Sequence, residues 1–499
     1  MSKLRILLPG GNAINLSNPL NNSNKYLSFF SLAVNYLSIG IIAIFSFLLP
    51  FSGQLMDSEN NTSTLRFIVL FLILFLFVFL VKTLIQKRSF IIEPKGLLLI
   101  LVFNLILTTL SILITTVRVS NTFGTDGFRY LSGIALMSLI GLFYLFNLYF
   151  AEKTFGTRLL NIFLVGSLLS IFYNLIVHSQ QDIDIIINIP LMVISFSLLV
   201  YKALTSTQKV IYSFALLIYG ILILLTLPFN QVMYSELFYY VLALFISHIV
   251  VMSIYITQSK YQVRKRIKEI KSNVLNFLKV KKGFTPTNKG ISDLYLVLFF
   301  TIPFILLISA LLFYLNSPIS SRNTFLVSEA QQYSNAFRSI SGNGDSLTGN
   351  NVRSIFMGRG SDNYNTAYSF LVNVLVVHGL VGFTIYVFLW IYFIRIAIKR
   401  FNEDIKEARD YKLSGFLLFN AIFIPIVLMF SYSNLLTIVL LWVIYSLITS
   451  SYINDNINYI FTKDNINKTR VFAVSRVISI ILLSIGSIYL INLLLSVIK

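Results

Sequence analysis

The chain contains no cysteine, only three histidines and few charged residues. Without cysteine it forms neither a disulfide framework nor a thiolate metal site. The histidines, at 178, 248 and 378, are far apart in the sequence, so we expect no metal cluster and no bound cofactor. Charged side chains make up 12% of the 499 residues, which is about half the fraction found in soluble domains. This composition excludes an ordinary water-soluble fold.

Long apolar runs occupy almost the whole chain, of which 56% is hydrophobic. A helix needs about 20 apolar residues to cross a bilayer, and open strands are too costly in lipid. The runs lack the alternation of a β-barrel. They predict an all-α, polytopic membrane helix bundle with about 12–13 transmembrane helices. The candidate spans are 27–51, 67–85, 96–117, 130–150, 159–178, 185–203, 210–228, 236–257, 294–316, 368–394, 414–432, 435–451 and 471–496.

The distribution of basic residues predicts which loops face the cytoplasm. The net charge is +20. In a membrane protein lysine and arginine accumulate in cytoplasmic loops, so we expect no nucleic-acid partner. One alternating set of loops is basic and includes 258–293, whereas the other set includes the long segment 317–367. We therefore predict one transmembrane domain, 1–499, with a cytoplasmic N-terminus, a basic cytoplasmic loop at 258–293 and a large extracytoplasmic loop at 317–367.

Charges are nearly absent from the middle of the candidate spans. Ion-coupled transporters and proton pumps usually need ionisable side chains at membrane depth. His248 and His378 are the candidates near the interior of a span. We expect each to be a packed or hydrogen-bonded helix residue rather than a proton relay.

Two segments predicted to be extracytoplasmic contain arginine but no lysine. One is 118–129, with Arg118 and Arg129 at its ends, and the other is the large loop. The arginines of the large loop are Arg322, Arg338, Arg353 and Arg359. A planar guanidinium holds phosphate or carboxylate oxygens through two parallel hydrogen bonds, and a lysine ammonium does not. This choice of residue favours an anionic ligand at the outer face. The alternative is contact with lipid headgroups and salt bridges within the loops.

The large loop is not featureless. It contains apolar residues at helical spacing, which predict a short amphipathic helix at the outer interface. These residues are Leu326, Ala330, Tyr333, Phe337 and Ile340. A glycine-rich turn region, 341–350, follows the stripe.

Short glycine patterns lie near the end of the large loop. Gly358-Arg-Gly360 is followed in the next span by His378-Gly-Leu-Val-Gly382, and Arg338 is separated by ten residues from Gly349. This arrangement resembles the GxG…GliG segment and the R-x10-G pattern of the O-antigen polymerase (Wzy-type) and O-antigen ligase superfamily of polytopic membrane glycosyltransferases. The predicted topology of the whole chain is also similar to that superfamily, whereas the motifs cover only about 338–382.

The chain departs from the superfamily at two positions. The ligases have a histidine about eleven residues before the glycine that aligns with Gly379, and Tyr368 stands there instead. His378 is adjacent to that glycine, so it is not the same residue. Arg118 lacks the R-x10-G pattern because the eleventh residue after it is Arg129. The first departure disfavours a ligase, and the second prevents the transfer of a two-motif mechanism.

The resemblance implies a GT-C-like fold and polymerisation of a surface polysaccharide (O-antigen, capsule or exopolysaccharide). The enzyme would transfer a polyprenyl-pyrophosphate-linked (undecaprenyl) glycan onto a new lipid-linked repeat unit at the outer face of the bacterial plasma (inner) membrane. Its expected partners are this lipid-linked oligosaccharide and the bilayer, and a chain-length regulator and a flippase are further candidates. A lipid-linked oligosaccharide flippase, an O-antigen ligase and an ion-coupled transporter are the alternatives.

The candidate site residues follow from the arginines and the resemblance. Cleavage of the sugar–pyrophosphate bond develops negative charge that guanidinium groups stabilise. The predicted pyrophosphate-binding residues are Arg118, Arg129, Arg338, Arg353, Arg359, Gly349, Gly358 and Gly360. Glu329, Asp345 and Asp362 are the candidates for the base that accepts the proton of the acceptor hydroxyl, and Asp362 is the first choice. Tyr368 is a candidate for orienting a phosphate.

Overall fold

The computed structural model describes just under half of the chain, and almost all of the described residues are helical. The described residues are 6–7, 13–14, 22–52, 60–86, 131–150, 153–177, 182–205, 240–258, 331, 334, 355–356, 369–406, 411–430 and 434–456. Within these ranges the only extended structure is an antiparallel pair of short strands, β1 (Ile6–Leu7) and β2 (Ala13–Ile14). The longer helices are α1 (Asn22–Leu48), α2 (Asn60–Gln86), α3 (Gly133–Phe150), α4 (Lys153–Val177), α5 (Asp182–Thr205), α6 (Tyr240–Gln258), α7 (Phe370–Lys406), α8 (Tyr411–Phe430) and α9 (Leu435–Asn456).

Each of these helices coincides with a candidate span to within a few residues at most ends. Three of them, α6, α7 and α8, are long and apolar enough to cross a bilayer by length and composition. Their presence indicates a helical membrane protein. The candidate spans 96–117, 210–228, 294–316 and 471–496 lie outside the described residues. The total of 12–13 spans and the GT-C-like arrangement stay predictions.

Polar residues at the helix starts explain several of the boundaries. The hydroxyl of Ser132 accepts a hydrogen bond from the amide of Ala135 (3.2 Å), and the side chain of Asn434 accepts one from Thr437 (2.7 Å). Ser369 makes a longer contact of the same kind with the amide of Val372. Such N-caps satisfy amides that have no partner inside the helix, and each contributes about 1 kcal/mol. They fix the points at which α3, α7 and α9 begin.

Small residues allow close packing where α1, α4 and α5 meet. A Cβ atom on Gly166 of α4 would collide with the backbone carbonyl of Phe47 in α1. Ser170 donates a hydrogen bond to the carbonyl of Pro50 (2.9 Å), just after α1. Phe47 lies against Gly166, and Pro50, three residues later, lies against Ser170, four residues later in α4. The contacts follow the same sequence order on both sides, so α1 and α4 run parallel. In the same region Ser195 of α5 donates to Ser167 of α4 (2.8 Å).

Aromatic rings hold α3, α7 and α9 together. The ring of Phe143 in α3 lies 5.7 Å from that of Phe393 in α7 and 5.9 Å from that of Trp442 in α9. Phe393 also stacks on Tyr445 of α9 at 4.1 Å. Offset and edge contacts of this kind each stabilise by about 0.5–1.5 kcal/mol beyond the apolar area that they bury. The junction of these three helices is therefore a well-packed core.

The region predicted as one span at 368–394 is a helical hairpin. The ring of Phe370 lies 5.3 Å from that of Tyr386 and 5.9 Å from that of Trp390. In a straight helix these residues would be separated along the axis by about 24 and 30 Å. The chain reverses at Gly379, whose φ of 67° and ψ of −170° are not helical. The part 370–378 is about 13 Å long and packs back on the part 380–406, which is about 40 Å long and sufficient to cross a bilayer.

The second part of α7 continues beyond the predicted end of the span. The residues after 394 were assigned to a basic loop, but the helix extends to Lys406. Arg400 forms an ion pair with Asp404 (3.6 Å), and Lys399 approaches Glu403 (3.9 Å). Pairs with this i,i+4 spacing each stabilise a helix by a few tenths of a kcal/mol. They contribute to keeping this charged segment helical.

Candidate functional site

The residues predicted to bind pyrophosphate or to act in catalysis lie outside the described residues. They are Arg118, Arg129, Glu329, Arg338, Asp345, Gly349, Arg353, Gly358, Arg359, Gly360, Asp362 and Tyr368. Their assignments stay predictions. The structure does describe residues close in sequence to three of them: Leu131 is two positions after Arg129, Ile355 is two positions after Arg353, and Ser369 directly follows Tyr368. The arrangement of these three neighbours defines the candidate site.

The short helical part 370–378 contacts the chain that follows the segment 118–129. Nε2 of His378 lies 3.0 Å from the carbonyl oxygen of Leu131. A carbonyl only accepts hydrogen bonds, so Nε2 carries the hydrogen and the imidazole donates it. Leu131 immediately precedes the cap of α3, and its carbonyl does not receive the amide of Ala135, which donates to the Ser132 hydroxyl. The histidine therefore satisfies a backbone acceptor at the start of α3.

The same short part also contacts the chain beside Arg353. Ile355 belongs with Val372 and Leu375 to a small apolar group around Val376, which is buried. Ile355 and the exposed Phe356 are themselves helical. A residue two positions after Arg353 is thus held against the part 370–378 by apolar packing.

The backbone at Gly379 and Gly382 makes this arrangement possible. The φ and ψ angles of Gly379 fall in a region that is essentially restricted to glycine. A Cβ atom on Gly382 would collide with the Cβ of His378. The two glycines therefore allow the chain to reverse directly after His378 and bring the two arms of the hairpin close together.

The base of the hairpin is buried among the helices. Ser369 and Phe370 are almost fully buried. Because its ring contacts Tyr386 and Trp390, Phe370 lies at the level of these two residues along the part 380–406. The hairpin tip at Gly379 is about 10–16 Å away from that level along the axis of 380–406. The short part 370–378 therefore begins at buried residues, away from the hairpin tip.

Ionisable side chains are scarce inside the described helices. The buried lysine or carboxylate residues there are Lys202, in the last turn of α5, and Asp404, near the end of α7. His248 bonds through Nδ1 to the carbonyl of Leu244 in its own helix (3.0 Å), and its ring packs edge-on against Phe419. The expectation that His248 and His378 are hydrogen-bonded helix residues is confirmed. Within the described ranges no three histidine, aspartate or glutamate residues are grouped as a metal site would require.

Two residues of the large loop bear on its predicted amphipathic helix. Gln331 and Ser334 are helical and exposed. Neither belongs to the apolar stripe, so both agree with a polar face. The stripe residues themselves, Leu326, Ala330, Tyr333, Phe337 and Ile340, lie outside the described residues.

Sequence reasoning missed the hairpin and the contact of His378 with α3. One signal was present: glycine twice within five residues, at 379 and 382, in the middle of an apolar run. An isolated glycine in a helical pattern often has a packing or backbone reason.

Comparison of the chain with protein families, with curated proteins and with solved structures gives no match.

Proposed function

We propose that the protein polymerises a surface polysaccharide from polyprenyl-pyrophosphate-linked repeat units. It would transfer the glycan of one lipid carrier onto the end of a new lipid-linked unit at the extracytoplasmic face of the membrane. The leaving group would be the polyprenyl pyrophosphate, which contains the activated bond, so no nucleotide sugar is needed. The acceptor is a sugar hydroxyl of the new unit.

The proposal depends mainly on the two segments that contain arginine and no lysine. Their described neighbours both contact the short part 370–378 of α7, Leu131 through His378 and Ile355 through Val376. Consecutive Cα atoms are about 3.8 Å apart, so a residue two positions away can be no further than about 7.6 Å. The covalent chain alone therefore keeps Arg129 close to Leu131 and Arg353 close to Ile355. This supports a shared anion-binding region built from both segments.

The chemistry suits guanidinium groups. Charge develops on the pyrophosphate oxygens as the sugar leaves, and fixed donors in a partly desolvated cleft stabilise that charge more strongly than water does. Arg338 and Arg359 would complete the cluster from the large loop. Asp362 is the preferred acceptor of the hydroxyl proton, with Glu329 and Asp345 as the alternatives, and Tyr368 would orient a phosphate.

The directions of the helices support the assignment of the arginine segments to one side. α1 and α4 run parallel, and each begins at a segment predicted to be cytoplasmic. His378 contacts Leu131, and Phe393 contacts Phe143 further along both segments. Because the two contacts occur in the same sequence order on each side, α3 and the part 380–406 also run parallel. α3 begins just after 118–129, which supports the proposal that Arg129 and the hairpin tip lie at the same end of the bundle.

The test is a polymer-ladder assay with the variants Arg129→Ala, Arg338→Ala, Arg353→Ala and Arg359→Ala at matched protein levels. We expect each to shorten or abolish long chains, because loss of one donor to a developing oxyanion lowers the rate by about 10²–10³. Arg395→Ala is the matched control, because Arg395 is an exposed arginine near the opposite end of α7. It should give wild-type chains. Wild-type ladders from all four outer variants would refute the arginine cluster.

A gene deletion separates the alternatives. A surface glycan with a single repeat unit supports a polymerase. Intact polymer that lacks its final anchor would instead identify a ligase, and lipid-linked units trapped on the cytoplasmic side would identify a flippase. Substitution of Arg353 by lysine gives a finer result: retained activity would mean that charge alone suffices and that the two-pronged geometry of guanidinium is not required.

A further inference from the structure

Arg66, in the second turn of α2, is an exposed cation at the head of an apolar helix face. Leu70 is partly exposed, and Leu74 and Phe77 are exposed. These positions follow Arg66 at steps of three or four residues, so all four side chains lie on one side of the helix. The stretch 67–81 contains no charged residue. One face of α2 therefore presents a guanidinium followed by an apolar track about 16 Å long.

The level of Arg66 along the bundle follows from the contacts between α1 and α2. The hydroxyl of Ser52, just after α1, donates a hydrogen bond to that of Thr64 (3.3 Å). The ring of Phe45 in α1 lies 5.5 Å from that of Phe67. The two contacts occur in opposite sequence order on the two sides, so α1 and α2 are antiparallel. Because Arg66 lies between Thr64 and Phe67, its level is between those of Ser52 and Phe45.

The exposed surface of α4 is apolar at this level and beyond it. Ser170 of α4 donates a hydrogen bond to the carbonyl of Pro50 (2.9 Å), which falls within the interval that sets the level of Arg66. Leu169 and Phe172, on either side of Ser170, are both exposed. The helix then continues to Val177, about 10 Å past Ser170. The guanidinium of Arg66 therefore lies within the exposed apolar belt of the bundle and not past its edge.

An exposed arginine within an apolar belt is stable only with a suitable partner. A charge in hydrocarbon is costly unless its long side chain reaches polar or anionic groups. The ion pairs within the described ranges are those of Lys399 and Arg400 with their own helix, so no described carboxylate pairs with Arg66. A lipid phosphate can supply the missing charge, since guanidinium holds phosphate oxygens through two parallel hydrogen bonds. The acyl chain of the same molecule matches the apolar track.

We propose that the face of α2 formed by Arg66, Leu70, Leu74 and Phe77 binds an anionic phospholipid of the adjacent leaflet. Arg66 holds the headgroup phosphate, and one acyl chain lies along the three apolar side chains. The face is open, which suits a lipid that exchanges with the surrounding bilayer. This inference goes beyond the proposed function and does not rest on it, because it concerns the bilayer and no step of glycan transfer.

The test measures which lipid lies beside this face. The natural chain has no cysteine, so Ile73→Cys, a partly exposed position beside the track, gives the full-length protein a single site for a fluorophore. The protein is reconstituted in phosphatidylcholine vesicles that contain a small, equal fraction of nitroxide-labelled phosphatidylglycerol or nitroxide-labelled phosphatidylcholine. We expect the labelled phosphatidylglycerol to quench about two- to fivefold more strongly, as one exposed ion pair would produce.

Substitutions of Arg66 assign the preference to its charge. Arg66→Gln keeps a long polar side chain without the charge, and it should make quenching by the two lipids equal. Arg66→Lys keeps the charge and should retain most of the preference. The matched control places the fluorophore at Phe388→Cys, an exposed position on α7, where Arg66→Gln should change neither value.

Three results would overturn the inference. Equal quenching by both lipids in the parent protein would mean that the face does not select an anionic headgroup. A preference that persists in Arg66→Gln would mean that another group creates it. No quenching by either lipid would mean that the face is covered and does not meet the bilayer.

Discussion

Two helix junctions in this protein are built on opposite principles. Where α1, α4 and α5 meet, the contacts come from small residues and serine hydroxyls, such as Gly166 against Phe47 and Ser195 to Ser167. Where α3, α7 and α9 meet, the contacts come from aromatic rings, and α7 reverses at Gly379. Small residues let helix backbones approach closely in lipid, where the hydrophobic effect no longer drives association.

The difference separates a structural region from a candidate functional one. The described helices at the first junction are continuous, and nothing in the sequence marks an anionic site there. The second junction contains a helix that reverses at Gly379 and a hydrogen bond between His378 and the distant carbonyl of Leu131. Strained backbone tends to persist at functional sites, where the surrounding structure holds it in place. The comparison predicts that substitutions at the first junction change stability, whereas those beside the hairpin change activity before they change stability.

The largest expected effect is at Gly166. Gly166→Val would place a branched side chain against the backbone carbonyl of Phe47, and a backbone atom cannot rotate away. We expect a loss of about 3 kcal/mol or more, at the upper end of overpacking effects, seen as a lower Tm in detergent and a loss of monodisperse protein.

Gly40→Val is the matched control for this substitution. A Cβ on Gly40, in α1, meets no atom within 4 Å, so the same change there should leave Tm close to that of the parent. If the two variants lowered Tm equally, the close approach of α1 and α4 would not be what stabilises the first junction.

A smaller effect is expected at the polar contact between α5 and α8. Asn420 donates a hydrogen bond to the hydroxyl of Ser197 (3.2 Å) and another to the carbonyl of Phe416 (2.9 Å). A double-mutant cycle with Ser197→Ala and Asn420→Ala should give a coupling of about 0.6 kcal/mol, and at most about 1.7 kcal/mol, as for other hydrogen bonds between membrane helices. The measurement is the free energy of unfolding in mixed micelles. A coupling near zero would show that shape, and not the hydrogen bond, holds α5 against α8.

Much of the helical fold was predictable because hydropathy and charge act locally. Apolar length sets where a helix can cross a bilayer, and N-caps such as Ser132 and Asn434 set where a helix begins. The hairpin in α7 was not predictable in this way. Hydropathy measures how apolar a segment is but does not show where the chain reverses direction. The residues 370–378 and 380–394 were therefore predicted as one continuous span.

The sequence predicts the candidate site only as chemistry, and that prediction stays untested. The segments 118–129 and 317–367, which are predicted to be extracytoplasmic, contain arginine but no lysine, and this favours guanidinium as the cation of the predicted site. The contact of the short part 370–378 with the start of α3 could not be predicted, because it forms between His378 and a backbone carbonyl 247 residues away. Backbone carbonyls carry no sequence signal, since every residue has one.

The smallest expected effect, at Tyr445, gives the sharpest comparison within the second junction. Its ring stacks on Phe393, but its buried hydroxyl has no hydrogen-bond partner in the described part of the chain. Tyr445→Phe keeps the ring and removes an unsatisfied polar group, so the free energy of unfolding should stay equal or rise by up to about 1 kcal/mol. The neighbouring change, Ser446→Ala, removes a bond to the carbonyl of Phe143 (3.0 Å) and should lower it by about 0.5–1 kcal/mol. The contrary result would be that Tyr445→Phe shortens the polymer more than Ser446→Ala does while leaving Tm unchanged. The hydroxyl of Tyr445 would then act in the function of the protein and not in its stability.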